Sequence, residues 1–353
     1  MKDPAEFFGK IGIVASGGGF RGVAVLGFLI PLLHLLARYK LMVRYYGAVS
    51  VSAFMLARSS EAHKPEDYEP LLDYMTASWK AVEKKGPASV FDFSYKKLHF
   101  WNSGSILDND PLVELAKHFD PVKSVNSPAR LDLFVFDSDT KEHTAISNRD
   151  PSVIANPSLL KDAVVASASL VPIFSETKVG ARFYYDGGFI SLRGAVEAGC
   201  DTIFVLFPYP QRYRNPPTKN DFLNKHFPWL EKAASVSAAT LRDRDAFEVK
   251  YWQDIFEREE RITALNSELN ERLSDPQVKG LLKQFIGKLP ILGRFLEKPR
   301  GAEKKIPCII PLYENHSPET LLLKDFNAIN RDITVALERA TRQMEEELEK
   351  MLQ

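Results

Sequence analysis

Over its first 210 residues the chain alternates short apolar runs with longer amphipathic or wholly apolar segments. Ile11–Ala15 is a short apolar run that ends at Gly17-Gly18-Gly19, the pattern of a buried strand entering a tight turn. Val23–Leu36 is apolar on nearly every face, which predicts a helix enclosed by protein, with a bend near Ile30 imposed by Pro31. Val43–Val49 is a second apolar run, ending near Ser50. Strand, glycine turn, buried helix and strand make a βαβ unit, and such a unit implies a parallel sheet.

Farther on, Glu66–Lys85 has amphipathic helical spacing, and Asp110-Pro111 opens another helix with an acidic cap and a proline at the first helical position. Leu131–Phe136 and Thr144–Ile146 read as strands joined by the turn-rich Asp137-Ser138-Asp139-Thr140, and Arg182–Tyr185 and Thr202–Phe207 read as two more. Pro208, Pro210, Pro216 and Pro217 mark a break, after which Asn220–Lys305 is charged and helical in character. A final strand, Ile306–Leu312, precedes a helix over Asn327–Leu352. Its stripe of Ile329, Ile333, Leu337, Ala340, Met344 and Leu348 suits either internal packing or a homodimer contact. The late strand needs a sheet to join. The expected organisation is therefore an α/β core over 8–212, a helical insertion or cover over 213–305, and a last core strand and helix over 306–353.

Composition narrows the classes without choosing among them. The 353 residues are 45% hydrophobic and 26% charged, an ordinary globular balance. Basic and acidic residues both number 46, so no overall field draws the protein to nucleic acid. Cys200 and Cys308 form neither a disulfide framework nor a metal knuckle, and no metal or other cofactor is called for. The most apolar stretch, Val23–Ala37, is shorter than the ~20 residues a bilayer core requires, and no cleavage site marks a signal peptide. The expectation is a cytoplasmic protein, peripheral at a membrane at most. One stretch supplies a local exception to the charge balance. From Lys279 to Lys305, eight basic residues are interleaved with leucine, isoleucine and phenylalanine, which fits docking on anionic lipid or a cover helix packed on the core.

Three places carry candidate chemistry. Gly17-Gly18-Gly19-Phe20-Arg21-Gly22 satisfies the dinucleotide pattern G-x-G-x-x-G, but no Asp or Glu lies between Phe7 and Ser60 to hold a ribose. The same loop suits an oxyanion hole, with glycine amides at a helix start facing developing negative charge. A ligand-free tight turn is the simplest alternative. The second strand ends in Ala48-Val49-Ser50-Val51-Ser52, a serine on a strand-to-helix turn with small flanking residues. Ser50 is the better-flanked nucleophile and Ser52 the alternative. Asp186-Gly187-Gly188 follows a strand and supplies a carboxylate, which serves as a base for serine when burial raises its pKa. His316, on a loop after the last strand, is the candidate for a Ser-His-Asp esterase, and His34 is expected as a hydrogen-bonded core residue.

The order of these motifs resembles the patatin-like phospholipase family. Ser16–Gly22, Ala48–Ser52 and Asp186–Gly188 carry the likeness. Gly104–Leu112, Pro172-Ile173-Phe174 and Ile309-Ile310-Pro311 extend it to about residues 10–210 and 306–340. The resemblance implies a three-layer α/β/α sandwich with a mostly parallel sheet, and hydrolysis of acyl esters in phospholipids or related lipids without a metal. It places Gly17, Gly18, Gly19 and Arg21 in the oxyanion loop, Ser50 as nucleophile and Asp186 as its single acid-base partner. Ala48 and Ser52 stand where the elbow motif has glycine. If those two positions needed positive φ, each Cβ would cost on the order of 1–3 kcal/mol. That departure motivates an alternative, a weakened or inactive patatin-fold protein that binds lipid or membrane.

Overall fold

A computed structural model describes residues 4–85, 105, 108–171, 173–209, 228–274, 306–313 and 326–353. His316 and the basic stretch 279–305 lie outside the described residues. The chain divides into two compact units, Met1–Val249 with Cys308–Gln353, and Lys250–Pro307. All elements below belong to the first unit, apart from the second half of one long helix.

The strands are β1 (Ile11–Ala15), β2 (Val43–Ala48), β3 (Arg130–Asp137), β4 (Glu142–Ser147), β5 (Thr177–Val179), β6 (Arg182–Asp186), β7 (Thr202–Phe207) and β8 (Cys308–Tyr313). The helices are α1 (Pro4–Phe8), α2 (Val23–Arg38), α3 (Ser52–Ser59), α4 (Tyr68–Lys85), α5 (Asp110–Ala116), α6 (Pro121–Asn126), α7 (Pro151–Ala155), α8 (Leu159–Ala168), α9 (Arg193–Glu197), α10 (Pro228–Ser274) and α11 (Phe326–Leu352). Strands β3, β2, β1, β7 and β8 are mutually parallel, whereas β4, β5 and β6 pair antiparallel. The sheet is thus mixed and mostly parallel.

Alternation along β1 sorts its two faces. Ile11, Ile13 and Ala15 join a core with α2, α3, α4, α8 and α11. Gly12 faces the opposite way, where a Cβ would lie 3.4 Å from Ala195 of α9 and 3.0 Å from the Cys200 sulfur. Helices on both faces of a mostly parallel sheet make the expected three-layer α/β/α sandwich.

One detail of register positions the site. Strand β4 runs along one edge of β3 from Asp132 to Asp137. The other edge is shared: β2 takes Arg130–Leu133, ending with Ala48 opposite Leu133, and β6 takes Val135–Asp137, ending with Asp186 opposite Val135. The two strands run toward each other along that edge and stop on either side of Phe134. Their final residues lead into Ser50 and Gly187.

Several expectations need correction. His34 is an exposed residue of α2 whose Nε2 lies 3.2 Å from a Glu69 oxygen, not a core residue. Asn109 rather than Asp110 holds the N-cap position of α5, and its side chain makes no capping hydrogen bond there. Of the β5–β6 hairpin the sequence marks only β6, as Arg182–Tyr185, and β5 and α8 carry no signal in it.

Helix α11 buries Ile333, Leu337, Ala340, Met344, Leu348 and Leu352 at three- and four-residue spacing. Its stripe packs on α2, where a Cβ added at Gly27 would come within 2.5 Å of Ala340 Cβ and 2.8 Å of the Leu337 carbonyl. Backbone on one side of that contact cannot yield as a side chain does. Gly27→Val should therefore destabilise the fold by about 1–3 kcal/mol, the cost of overpacking. A urea unfolding midpoint equal to that of the parent would refute this packing.

Candidate active site

The site forms at the carboxyl ends of β1 and β2, next to the point where the chain switches from one side of β1 to the other at β7. Ligands bind in such crevices of open α/β sheets. After β1 the chain passes through Ser16 and the three glycines into a 3-10 turn over Gly19–Gly22, which leads into α2. After β2 it turns within three residues into α3.

Ser50 occupies this second turn with φ 62°, in the left-handed region. A serine there costs on the order of 1–3 kcal/mol and persists only if its surroundings hold it. They do so from α8: the Ser50 amide donates to the Ser167 carbonyl at 2.9 Å and to its Oγ at 3.1 Å. Ser167 Oγ in turn donates to the Phe134 carbonyl at 2.8 Å, between the ends of β2 and β6. Neither Ala48 nor Ser52 has positive φ, so the cost expected from their Cβ atoms does not arise. The strain falls on the serine itself. Ser52 is fully buried at the start of α3, and its Oγ donates to the Ser16 carbonyl at 2.5 Å.

The glycine loop lies directly against this turn. A Cβ at Gly17 would come within 2.5 Å of Ser50 Cβ, one at Gly18 within 2.7 Å of Pro208, and one at Gly22 would collide with Val51. Only glycine at position 17 lets the backbone approach Ser50. The amides of Gly17, Gly18 and Gly19 meet no acceptor among the described residues. The Arg21 amide is engaged, donating to the Gly18 carbonyl at 3.1 Å, and the residue is 6% exposed. Arg21 thus closes the turn that presents the three glycines.

Asp186 reaches the site from β6. Its amide donates to the Ser169 carbonyl at 3.1 Å, and its Oδ1 accepts from the Gly188 amide at 2.8 Å. Gly187 crosses the β3 backbone so closely that a Cβ would lie 2.6 Å from the Phe134 carbonyl carbon and oxygen. Desolvation pushes the Asp186 carboxyl up to about 7, against the opposing pull of the Gly188 amide and a side-chain hydrogen bond with Ser50, while the Asp245 charge pushes it further up. The Ser50 side chain is thus among the groups that face the Asp186 carboxyl. Burial, followed by the Arg244 charge, holds the pKa of His143 down against the opposing pull of the Gly187 backbone.

An apolar cavity of about 410 Å³ has Ser50 in its wall and runs between α3, α4, α5 and α8. Val51, Phe54, Met75, Trp79, Leu112 and Phe174 are among its walls. No group of three or more His, Cys, Asp or Glu poised to hold a metal occurs among the described residues. Nor is any helix among them long and apolar enough to cross a membrane.

A sequence model for the patatin-like phospholipase family matches residues 13–197, from β1 through the Asp186 loop. The chain belongs to this family. Members of this family are lipid acyl hydrolases. No curated protein matches the sequence. Among solved structures, VipD from Legionella pneumophila aligns over 97% of this chain and 67% of its own length, at 11% identity and a TM-score of 0.38.

Several residues of this patatin-like site escaped the sequence reading. Ser167 sits in Ala166-Ser167-Ala168, where small residues signal only close packing. Asp245 lies in Arg242-Asp243-Arg244-Asp245, which reads as a solvated helix face, yet it is fully buried.

The raised Asp186 pKa carries a stability consequence. The carboxyl titrates near 3.8 when unfolded and near 7 when folded, so the folded state binds the proton more tightly between those values. Stability is thereby lost as pH rises through that window. Asp186→Asn keeps an acceptor for the Gly188 amide and removes the buried charge. It should be more stable than the parent at about pH 8, by on the order of a few kcal/mol, with the gain fading toward about pH 4. Urea unfolding across this range measures it, and a gain that does not vary with pH would contradict the assignment.

Proposed function

We propose that the protein is a serine esterase of the phospholipase A or lysophospholipase type that works through a Ser50–Asp186 dyad. The observation that carries this reading is a strained Ser50 in the wall of an apolar cavity, facing a buried Asp186 carboxyl raised to about 7. A base poised near neutral pH is matched to its task. Asp186 takes the Ser50 hydroxyl proton as Oγ attacks the ester carbonyl of an acyl lipid whose chain lies in the cavity. Negative charge develops on the carbonyl oxygen, and the Gly17, Gly18 and Gly19 amides stabilise it. Collapse of the tetrahedral intermediate breaks the ester bond, and the departing alcohol receives the proton from Asp186. Water, deprotonated by the same carboxylate, then releases the fatty acid and restores the Ser50 hydroxyl. These steps use only this chain's residues and water.

Ser52 is the less favoured nucleophile because its hydroxyl is committed to the Ser16 carbonyl. The sequence of 279–305 adds a second part to the proposal, peripheral docking on anionic lipid, with each basic side chain near the surface contributing about 1 kcal/mol.

Fatty-acid release from mixed phospholipids tests the reaction. The parent should release fatty acid and react with a fluorophosphonate probe, and Ser50→Ala should do neither. Ser52→Ala should keep much of both, and His316→Ala should be nearly unaffected. A parent that releases nothing, or a Ser52 or His316 variant that alone is inactive, would overturn the dyad. Docking has its own test. Changing Lys283, Lys288, Arg294 and Lys298 together to glutamine should weaken co-sedimentation with anionic vesicles at low salt, far less at high salt, and spare hydrolysis of a soluble ester. Unchanged co-sedimentation would refute docking.

A further inference from the structure

Asp245 is a fully buried carboxylate on α10, and the dyad chemistry makes no direct use of it. Each of its oxygens is engaged. Oδ1 accepts from the Ile190 amide at 2.9 Å, four residues beyond Asp186. Oδ2 accepts from the Tyr209 hydroxyl at 2.5 Å and from Ser16 Oγ, the residue that begins the glycine loop. Tyr209 and Ser16 also meet each other, their oxygens 3.0 Å apart. One carboxylate thus joins the end of β1, the end of β7 and the segment that follows the Asp186 loop. These are the segments whose relative placement fixes where the Gly17–Gly19 amides and the Asp186 carboxyl stand.

Building on the Ser50–Asp186 reading, we propose that Asp245 is a positioning residue for acyl transfer, clamping the glycine loop and the Asp186 loop in one frame and placing a second negative charge within electrostatic reach of Asp186. Helix α10 supports the clamp on either side. Glu248, one turn on, accepts from the Leu192 amide at 2.8 Å, and the Arg244 guanidinium lies 3.8 Å over the Phe189 ring, which also meets the His143 ring at a tilt of 56°.

The charged and titratable groups that face the clamp are Tyr209 from the end of β7, Glu248 from α10 itself, Tyr313 from β8 and Asp186 from β6. Desolvation raises the Asp245 carboxyl to about 6, with the Ser16, Tyr209 and Ile190 hydrogen bonds opposing and Glu248 adding. Above that pH Asp245 is charged, and its charge favours the protonated form of Asp186. Removing the charge should therefore move the ionisation of Asp186 to lower pH.

Asp245→Asn removes the charge and keeps groups that can bond Ile190, Ser16 and Tyr209, while Asp245→Ala removes the clamp. Two readouts separate the roles: the pH dependence of kcat/KM on a short-chain soluble ester, and carbon-13 NMR titration of the Asp186 carboxyl. In Asp245→Asn both the acidic limb and the carboxyl titration should shift to lower pH, with kcat within about tenfold of the parent. In Asp245→Ala kcat should fall by about 100-fold while KM changes little, as expected for displaced catalytic groups. If Asp245→Ala does not fold, Tyr209→Phe takes its place, deleting one clamp bond and keeping the ring; its kcat should fall several-fold. A limb and titration that stay at the parent values in Asp245→Asn, or an unchanged kcat in the clamp-breaking variant, would overturn the proposal. A parent that hydrolyses no ester while the Asp186 titration still moves places the failure in the dyad reading, not in the link between the two carboxylates.

Discussion

The site depends on the single edge of β3 that β2 and β6 share. Because β4 occupies the opposite edge over Asp132–Asp137, β2 and β6 have only one edge left, and each covers part of it. They approach end to end and stop on either side of Phe134, whose carbonyl is bound by Ser167 and crossed closely by Gly187. Ser50 and Asp186, 136 positions apart in sequence, are thereby brought to the same place on the sheet. The loops then need only short turns to complete the approach. This is why the strain at Ser50 and the close contacts at Gly17 and Gly187 are tolerated: rigid strands on three sides fix the geometry from which they depart.

Burial is the second constraint, and it acts on stability and chemistry in opposite directions. Two carboxylates, Asp186 and Asp245, lie where desolvation disfavours their charge. An isolated buried carboxylate is costly. Here each accepts hydrogen bonds, from three donors at Asp245 and from the Gly188 amide at Asp186. The remaining penalty leaves Asp186 able to exchange a proton near neutral pH, a property a solvated aspartate lacks. The fold therefore holds in reserve, at some expense in stability, the proton affinity that an acid-base group requires.

Much of this was legible in the sequence because the signals are local. Short apolar runs mark the parallel strands, Ser50 stands where one of them meets a turn, and Asp186 stands at the end of the antiparallel β6. What stayed hidden depends on partners distant in the chain. Asp245 sits in an alternating run of arginine and aspartate whose local pattern is that of a solvated helix, and only Ser16, Tyr209 and Ile190 make its burial tolerable. Tyr209 lies between Pro208 and Pro210, where the sequence marks an interruption and not a site. The strain expected at Ala48 and Ser52 falls on Ser50, because a motif fixes which residues are small but not which one turns left-handed. His34 lies in a segment so apolar that a core position was the natural inference, yet its direction on α2 carries it to Glu69 at the surface.

The central claim is that Ser50, Asp186 and the Gly17–Gly19 amides form one acyl-transfer centre on this shared edge. A crystal structure of the protein after reaction with a fluorophosphonate tests it most directly, since the tetrahedral phosphorus stands in for the acyl-transfer intermediate. The account predicts a covalent bond from phosphorus to Ser50 Oγ, with the phosphoryl oxygen within hydrogen-bond distance of at least two of the three glycine amides and the Asp186 carboxyl beside Oγ. A phosphorus atom bonded to Ser52, or a Ser50 adduct whose phosphoryl oxygen points away from the glycine loop, would contradict it.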